Sequence, residues 1–297
     1  MTALRTAVDG AADRLAAAGV PSPRFDAEEL AAHALGVERR ALWSVPSLGR
    51  AAGAFAAYVD RRAAREPLQH ITGRAFFRHL EIAVGPGVFV PRPETELVAG
   101  AAIEAARAVP AGEVPPVVVD LCTGSGAIAL AVATEVPGAE VHAVEADAAA
   151  FAWAVRNCSG YGIDVRLGDM ADAFLDLDGA VSVVVANPPY IPVGAVVRDP
   201  EVAAHDPALA LWSGVDGLDA MRVVEAVAAR LLRPGGTVVA EHADLQGSSA
   251  PEVFRHTGRW VDVHDHCDLA GRDRYLTATR AAHPRSSHVI VRPIRPD

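Results

Sequence analysis

The chain has 297 residues, 51% of them hydrophobic, a formal net charge of −10 and a mean hydropathy of +0.20. That length can bury a sizeable core and a second domain; charges cut the apolar stretches short of a membrane span, and no basic footprint for reading nucleic acid precedes the tail. There is no Lys, which excludes a P-loop lysine and a lysine Schiff base, and cysteines at 122, 158 and 267 form neither a disulfide framework nor a metal-ligand pair.

The N-terminus, Met1-Thr2-Ala3-Leu4-Arg5, leads into a pattern carrying Asp9, Asp13 and Arg14 with no secretory apolar region, so a cytoplasmic location is expected. Leu4, Val8, Ala11, Ala12 and Leu15 recur at helical spacing. Pro21-Ser22-Pro23 interrupts the pattern before Asp26-Ala27-Glu28-Glu29-Leu30, and Ala51 to Arg65 again reads as helix. Residues 1–72 are therefore expected to form a small helical domain. Residues 73–90 read as extended, with Gly85-Pro86-Gly87 as a turn, and are expected to be a β-hairpin linker. An α/β domain is expected over 91–280, its first helix starting at Pro93-Glu94, because proline suits the first turn and acids suit the N-terminus. Residues 281–297, with Arg285, Arg292, Arg295 and three prolines, read as a tail.

Within 91–280 the apolar run Val117-Val118-Val119 leads into Asp120-Leu121-Cys122-Thr123-Gly124-Ser125-Gly126, and a second apolar stretch, Ala127 to Val132, follows. Buried strand, tight loop and helix open a doubly wound sheet in this way. The glycines allow close backbone approach to a ligand, and the helix N-terminus offers amide donors. Gly124-Ser125-Gly126-Ala127-Ile128-Ala129 also fits the loose dinucleotide fingerprint, so these residues alone leave nicotinamide binding open. The next strand, Val141-His142-Ala143-Val144, ends at Glu145, a carboxylate placed to accept both hydroxyls of a ribose. A third strand, Ile163 to Leu167, closes on Gly168-Asp169-Met170, where Asp169 can accept from an adenine amino group and Met170 can pack on the ring. A fourth, Val181 to Ala186, ends at Asn187-Pro188-Pro189-Tyr190. A planar amide, two rigid prolines and an aromatic ring can hold a second planar amide or amine flat against an electrophile. All four elements fall at the carboxyl edge of the expected sheet, where ligands of such sheets lie. His264-Asp265-His266-Cys267 is the one histidine cluster and is not expected to bind metal, since alternate strand residues face opposite ways.

Together the 120–126 loop, Glu145, Asp169 and Asn187-Pro188-Pro189-Tyr190 resemble an S-adenosylmethionine-dependent methyltransferase acting on a planar nitrogen. Phe89-Val90-Pro91-Arg92-Pro93-Glu94-Thr95-Glu96 and Glu66-Pro67-Leu68-Gln69-His70-Ile71-Thr72-Gly73 narrow the resemblance to the protein-(glutamine-N5) methyltransferases of the PrmC/HemK family. It extends through Pro234-Gly235-Gly236, Glu241-His242 and Gln246-Gly247 to Arg272-Asp273-Arg274. Cys122 and Ser125 stand where many members have Gly and Thr, Glu145 replaces a common Asp, and Met170 replaces an aromatic residue of some members.

The resemblance implies a Rossmann-like methyltransferase sheet with a helical N-terminal domain. It further implies S-adenosyl-L-methionine as cofactor and, as substrate, the Gln of the Gly-Gly-Gln tip of class I release factors, without direct contact with nucleic acid or membrane. Asp120, Cys122, Thr123, Gly124, Ser125, Gly126, Glu145, Asp169, Met170 and Asn187 are the expected cofactor residues. Asn187, Pro188, Pro189 and Tyr190 are the expected catalytic set. A ribosomal-protein glutamine methyltransferase, a nucleic-acid adenine methyltransferase and a non-enzymatic nucleoside-binding module are the alternatives.

Overall fold

The computed structural model describes residues 2–110, 115–197 and 199–282, so all but the first two residues of the expected tail lie outside the described residues. In chain order the elements are α1 (Ala3–Ala17), α2 (Pro23–Leu35), α3 (Ala52–Ala63), α4 (Leu68–Thr72), β1 (Arg74–Phe77), β2 (Leu80–Ala83), α5 (Thr95–Arg107), β3 (Val117–Leu121), α6 (Ala127–Glu135) and β4 (Glu140–Glu145). There follow α7 (Ala148–Cys158), β5 (Asp164–Leu167), β6 (Val181–Ala186), α8 (Pro200–His205), α9 (Asp219–Leu231), β7 (Leu232–Glu241), α10 (Ser249–Arg255), β8 (Trp260–Cys267) and β9 (Asp273–Arg280). They divide into two compact units, one comprising 1–76, 81–90 and 196–207, the other 77–80, 91–195 and 208–297.

The first unit is helical. Thr2 caps α1 by accepting from the Arg5 amide, and the helix buries Leu4, Val8, Ala11 and Leu15, the apolar stripe of the sequence. Pro23 sits in the first turn of α2, which ends on Gly36 at φ 66°. These faces join Leu30, Leu42, Phe55, Val59 and Ile71 in one core. Beside that core Arg62 is buried, donating to Asp26 at 2.7 Å, to Glu201 of α8 at 2.8 Å and to the Glu66 carbonyl at 3.0 Å. Removing one partner of such a buried pair costs ~3–5 kcal/mol, so the 196–207 segment is firmly tied to the helices although it lies far along the chain. β1 and β2 form a two-stranded hairpin that turns at Arg78-His79, Arg78 taking φ 54°. The Gly85-Pro86-Gly87 turn therefore follows the hairpin and does not form its tip.

The second unit is a seven-stranded sheet in the order β5-β4-β3-β6-β7-β9-β8. The first five strands of that order pair in parallel, and β9 is antiparallel to β7 and β8. Every residue of β3 and β6 is buried, as expected of central parallel strands covered on both faces. One face packs Leu121, Val184 and Ala186 against Met221, Val224 and Ala228 of α9 and Phe254 of α10. The helix expected from Pro93 begins at Thr95. Turn bonds Thr95 N to Arg92 O, Glu96 N to Pro93 O and Leu97 N to Glu94 O, all 3.1 Å, lead into it. Among the described residues no helix is long and apolar enough to cross a membrane.

Candidate active site

Strand register assembles the site. Leu121 pairs with both Val144 and Ala186, Glu145 with Leu167, and Ala186 with Ala240. The residues that follow, Cys122, Glu145 itself, Gly168-Asp169, Asn187 and Glu241, therefore emerge side by side at one edge. Backbone bonds tie the loops down: the Thr123 amide donates to Val144 O at 3.0 Å and the Gly168 amide to Glu145 O at 2.9 Å.

Asp120 is fully buried. Its Oδ2 accepts from the Thr123 hydroxyl at 2.5 Å and from the Ala129 amide at 3.1 Å, so it fastens the loop to the first turn of α6, while Oδ1 is buried without a partner among the described residues. Burial pushes its carboxyl up to about 7 against those two donors. Cys122 takes φ 59°, a left-handed conformation that favours glycine and costs an L residue ~1–2 kcal/mol. Its thiol lies 3.4 Å from the Met170 sulfur, and burial, reinforced by Glu145, Asp120 and Asp169, keeps it protonated. Ser125 is buried, and its carbonyl accepts from Asn157 Nδ2 at 2.9 Å. Gly126, at φ 82°, packs so closely that an added Cβ would sit 2.8 Å from Cys158 Sγ, whereas Gly124, at φ 58°, faces open space.

Glu145 is buried, and its two oxygens accept from the Gly124 amide at 2.8 Å and the Asp147 amide at 2.9 Å. Burial raises its pKa, opposed by those amides. A carboxylate offers about four lone-pair sites, so each oxygen keeps capacity for a ligand hydroxyl. Asp169 is exposed, with Oδ1 accepting from the Ala171 amide at 2.9 Å, and Met170 is half-buried against the sheet core.

Asn187 is half-buried, and its Nδ2 donates to Thr95 Oγ1 at 3.3 Å. Burial pushes the Glu241 carboxyl up to about 7, an effect the Thr95 hydroxyl opposes. Pro188 is buried, Pro189 and Tyr190 half-buried, and desolvation keeps the Tyr190 phenol neutral. The segment is held from behind by Gln246. Its Nε2 donates to Tyr190 O and Gly217 O, both at 3.2 Å, while its Oε1 accepts from the Ala243 amide at 3.0 Å. Only glycine fits at 217, where a Cβ would lie 2.4 Å from Tyr190 O. Arg274, anchored on Asp268 at 3.3 Å, acts electrostatically on both Tyr190 and Glu241. Sequence reasoning did not assign Thr95, Glu241 or Gln246 to the site, although all three stand in motifs that carry the resemblance. The periodicity of a strand or helix gives no sign of a hydrogen bond between distant segments. His266, in the histidine cluster, bonds Thr277 Oγ1 at 2.8 Å and stacks on Tyr275 at 4.7 Å.

The residues fit an S-adenosylmethionine-type ligand better than a dinucleotide. Asp120, Glu145 and Asp169 lie close enough together to act jointly on Cys122, and no basic side chain stands within 120–126, at 145 or at 169–170. Such a field favours a cationic amino acid and sulfonium and opposes a pyrophosphate. The open space at Gly124 is further room.

A seven-stranded, mostly parallel sheet carrying this acidic glycine loop and a strand-end Asn-Pro-Pro-Tyr defines an S-adenosylmethionine-dependent methyltransferase. Residues 6–73 match the PrmC N-terminal domain and residues 106–199 the methyltransferase small domain. Over 95% of this chain and 99% of the relative, the sequence is 57% identical to the release factor glutamine methyltransferase of Streptomyces coelicolor. It is 50% identical to that of Mycolicibacterium smegmatis, again over 95% and 99%. It is also 44% identical, over 93% of this chain and 95% of the relative, to the 4-amino-L-phenylalanine/4-methylamino-L-phenylalanine methyltransferase of Streptomyces pristinaespiralis. The chain belongs to the PrmC/HemK family of protein-(glutamine-N5) methyltransferases.

Proposed function

We propose that the enzyme methylates the side-chain amide nitrogen of the Gln in the Gly-Gly-Gln tip of class I release factors, in the cytoplasm, with S-adenosylmethionine as methyl donor. The observation that carries the reading is the state of Asn187. Its amide nitrogen is engaged by Thr95, and among the described residues its Oδ1 accepts no hydrogen bond. That oxygen and the Pro188 carbonyl are the acceptors assigned to the two N–H groups of the substrate amide. The relatives at 57% and 50% identity, both named release factor glutamine methyltransferase, support the choice of substrate.

A carboxamide nitrogen is a poor nucleophile because its lone pair is delocalised into the carbonyl. When bound, the cofactor supplies a methyl group already activated on a sulfonium. The chain's residues have three tasks. Asn187 Oδ1 and Pro188 O fix the amide plane and stabilise positive charge arising on the nitrogen; such placement contributes several kcal/mol, about 2.7–4 for one preorganised contact. Tyr190 excludes water beside them as a neutral phenol, its backbone held by Gln246. Glu145, Asp169, Met170 and the 120–126 loop hold the donor, Glu145 through lone pairs left over from its two amide bonds. The helical domain over 1–72 is assigned to recognition of the release factor body, because a Gly-Gly-Gln tip has few side chains to read.

The test is methyl transfer from labelled cofactor to purified release factor, a short Gly-Gly-Gln peptide, ribosomal protein, DNA and 4-amino-phenylalanine side by side. The aromatic amine is included because of the relative at 44% identity. Release factor is expected to be modified at the Gln, the peptide far more slowly, and Asn187→Ala to lower turnover by ~10²-fold with cofactor binding largely kept. Preference for another acceptor would replace the substrate assignment. Equal rates on protein and peptide would remove the recognition role of the helical domain.

A further inference from the structure

We propose that Gln246 is a positioning residue for methyl transfer. Its side-chain amide fixes the peptide unit that follows Tyr190, and through it the place of the Pro188 carbonyl and the Tyr190 ring. The inference rests on the reading of Asn187-Pro188-Pro189-Tyr190 given above.

That motif is stiff except at its far end. Both prolines lock φ at about −65°, and Asn187 and Pro188, each preceding a proline, are confined to extended backbone. The freedom that remains lies at ψ of Pro189 and at Tyr190. The peptide unit between Tyr190 and Ile191 is pinned at both polar ends. Its carbonyl accepts from Gln246 Nε2 at 3.2 Å, and its N–H donates to Leu211 O at 2.8 Å. The Ser213 amide donates to Ile191 O at 2.9 Å and continues the pairing. Backbone thus holds one end of the unit, and a side chain holds the other.

Gln246 suits the task because its buried amide can sit only one way round. Oε1 accepts from the Ala243 amide at 3.0 Å, while Nε2 gives one proton to Tyr190 O and the other to Gly217 O, both at 3.2 Å. All three partners are backbone groups, whose roles as donor or acceptor do not change with pH. Turning the amide over would set an oxygen against two carbonyls and an NH2 against an N–H. The main chain grips the same turn, since the Gln246 amide donates to Ala243 O at 2.9 Å. Ala243 lies two residues past the end of β7, which pairs with β6 at Ala186–Ala240. One side chain therefore joins the ends of these neighbouring strands a second time, beyond the sheet. At Gly217 a Cβ would lie 2.4 Å from Tyr190 O and 2.8 Å from Gln246 Nε2, so the contact leaves no room for the carbonyl to shift that way.

The experiment uses the full-length enzyme and whichever acceptor the wild type methylates fastest, so a wrong substrate assignment does not disturb it. Gln246→Met keeps the bulk and removes all three side-chain hydrogen bonds. Gln246→Glu keeps an acceptor for Ala243 and, while protonated, one donor. Titration with the demethylated cofactor counts folded sites, and rates are taken per site. Gln246→Met is expected to lower kcat by about tenfold or more, the scale of a small misplacement of reacting groups, with cofactor affinity unchanged and KM for the acceptor moving far less. Gln246→Glu is expected to gain a pH dependence that the wild type lacks at this position. Its kcat relative to wild type should fall as the new carboxyl ionises and turns a carboxylate on two carbonyls. Should Gln246→Met fold poorly, that profile decides, because at low pH the protonated Glu restores two of the three bonds. A normal kcat per site in Gln246→Met, a loss that falls equally on cofactor affinity, or a Gln246→Glu to wild-type ratio that stays flat across about pH 5–9 overturns the proposal. If Asn187→Ala slows transfer and Gln246→Met does not, only the role of Gln246 falls. If Asn187→Ala itself turns over normally, the reading of the site falls, and this proposal with it.

Discussion

Gly124 and Gly126 sit two residues apart in one loop, both at positive φ, for different reasons that substitution can separate. Alanine at either position puts an L residue in the left-handed region, a cost of ~1–2 kcal/mol. At 124 nothing lies within 4 Å of the new Cβ, so that is the whole expected loss of stability. At 126 the Cβ would meet buried Cys158 Sγ at 2.8 Å, with the Ala154 backbone at 3.5 and 3.6 Å behind it. Overpacking of this kind adds ~1–3 kcal/mol, for a total of roughly 2–5 kcal/mol. Cys158→Ala removes the obstructing atom. In that background Gly126→Ala should cost only its backbone share, which appears as a coupling of ~1–3 kcal/mol between the two sites. Denaturant unfolding of the four proteins measures it. Ligand binding should rank the two glycines the other way. The open space beside Gly124 is the room for close approach, so Gly124→Ala, though the milder structural change, is expected to weaken cofactor binding by about tenfold or more, ~1.4 kcal/mol, in a calorimetric titration. An equal cost for Gly126→Ala in both backgrounds refutes the packing argument. Normal binding by Gly124→Ala refutes the assignment of the open face to the ligand.

Glu145→Ala removes the acceptor of the Gly124 and Asp147 amides together with the proposed ribose contact. It is expected to lose about 1–3 kcal/mol of cofactor affinity and a similar amount of stability, while Glu145→Gln, which keeps one oxygen, loses less. Unchanged affinity in calorimetry takes Glu145 out of the site. The buried carboxyl of Glu241 gives a pH signature. Burial, opposed by the Thr95 hydrogen bond, pushes it from an ordinary 4.5 up to about 7, so the folded state holds this proton more tightly than the unfolded chain. Its contribution is fully present below about 4.5 and is lost as pH rises through about 7. Relative to Glu241→Gln the wild type should therefore lose stability across that window, with a constant difference above it. Denaturant unfolding of both proteins at stepped pH checks this, and a difference that stays flat or changes in the opposite sense rejects it.

The parts of the site that follow chain periodicity were legible without coordinates. Val117–Val119 and Val181–Ala186 are apolar runs closed by a glycine loop and an Asn-Pro, and both emerge as fully buried central strands whose carboxyl ends meet. The positive φ of Cys122 explains why glycine suits the position, yet nothing in a Cys residue announces it. The Thr95–Asn187 bond spans 92 positions and the Gln246–Tyr190 bond 56, so neither leaves a local pattern to read. The attachment of 196–207 to the helical unit is hidden for the same reason: it depends on Arg62 and Glu201, which are 139 positions apart. Gly85-Pro86-Gly87 does form a turn, whereas the hairpin of β1 and β2 turns earlier, at Arg78-His79, where no glycine or proline marks the place.

The three buried carboxylates at the sheet edge share a feature that links stability to chemistry. Asp120 accepts from a hydroxyl and an amide and Glu145 from two amides, while the Thr95 hydroxyl and, at longer range, Arg274 oppose the raised pKa of Glu241. Among the described residues none forms a direct ion pair, and burial raises the pKa of all three. A fold selected for stability alone would gain by pairing such groups or replacing them with apolar side chains. Their hydrogen bonds point each carboxylate at a backbone loop or a neighbouring side chain and so fix the geometry. In their ionised form they are what a cationic sulfonium and amino group would meet on arrival, and that cation would in turn favour their ionisation. The same residues thus set the shape of the edge and its negative potential. A substitution such as Asp120→Asn, which keeps the acceptor for Thr123 and Ala129 and removes the charge, would separate the two contributions.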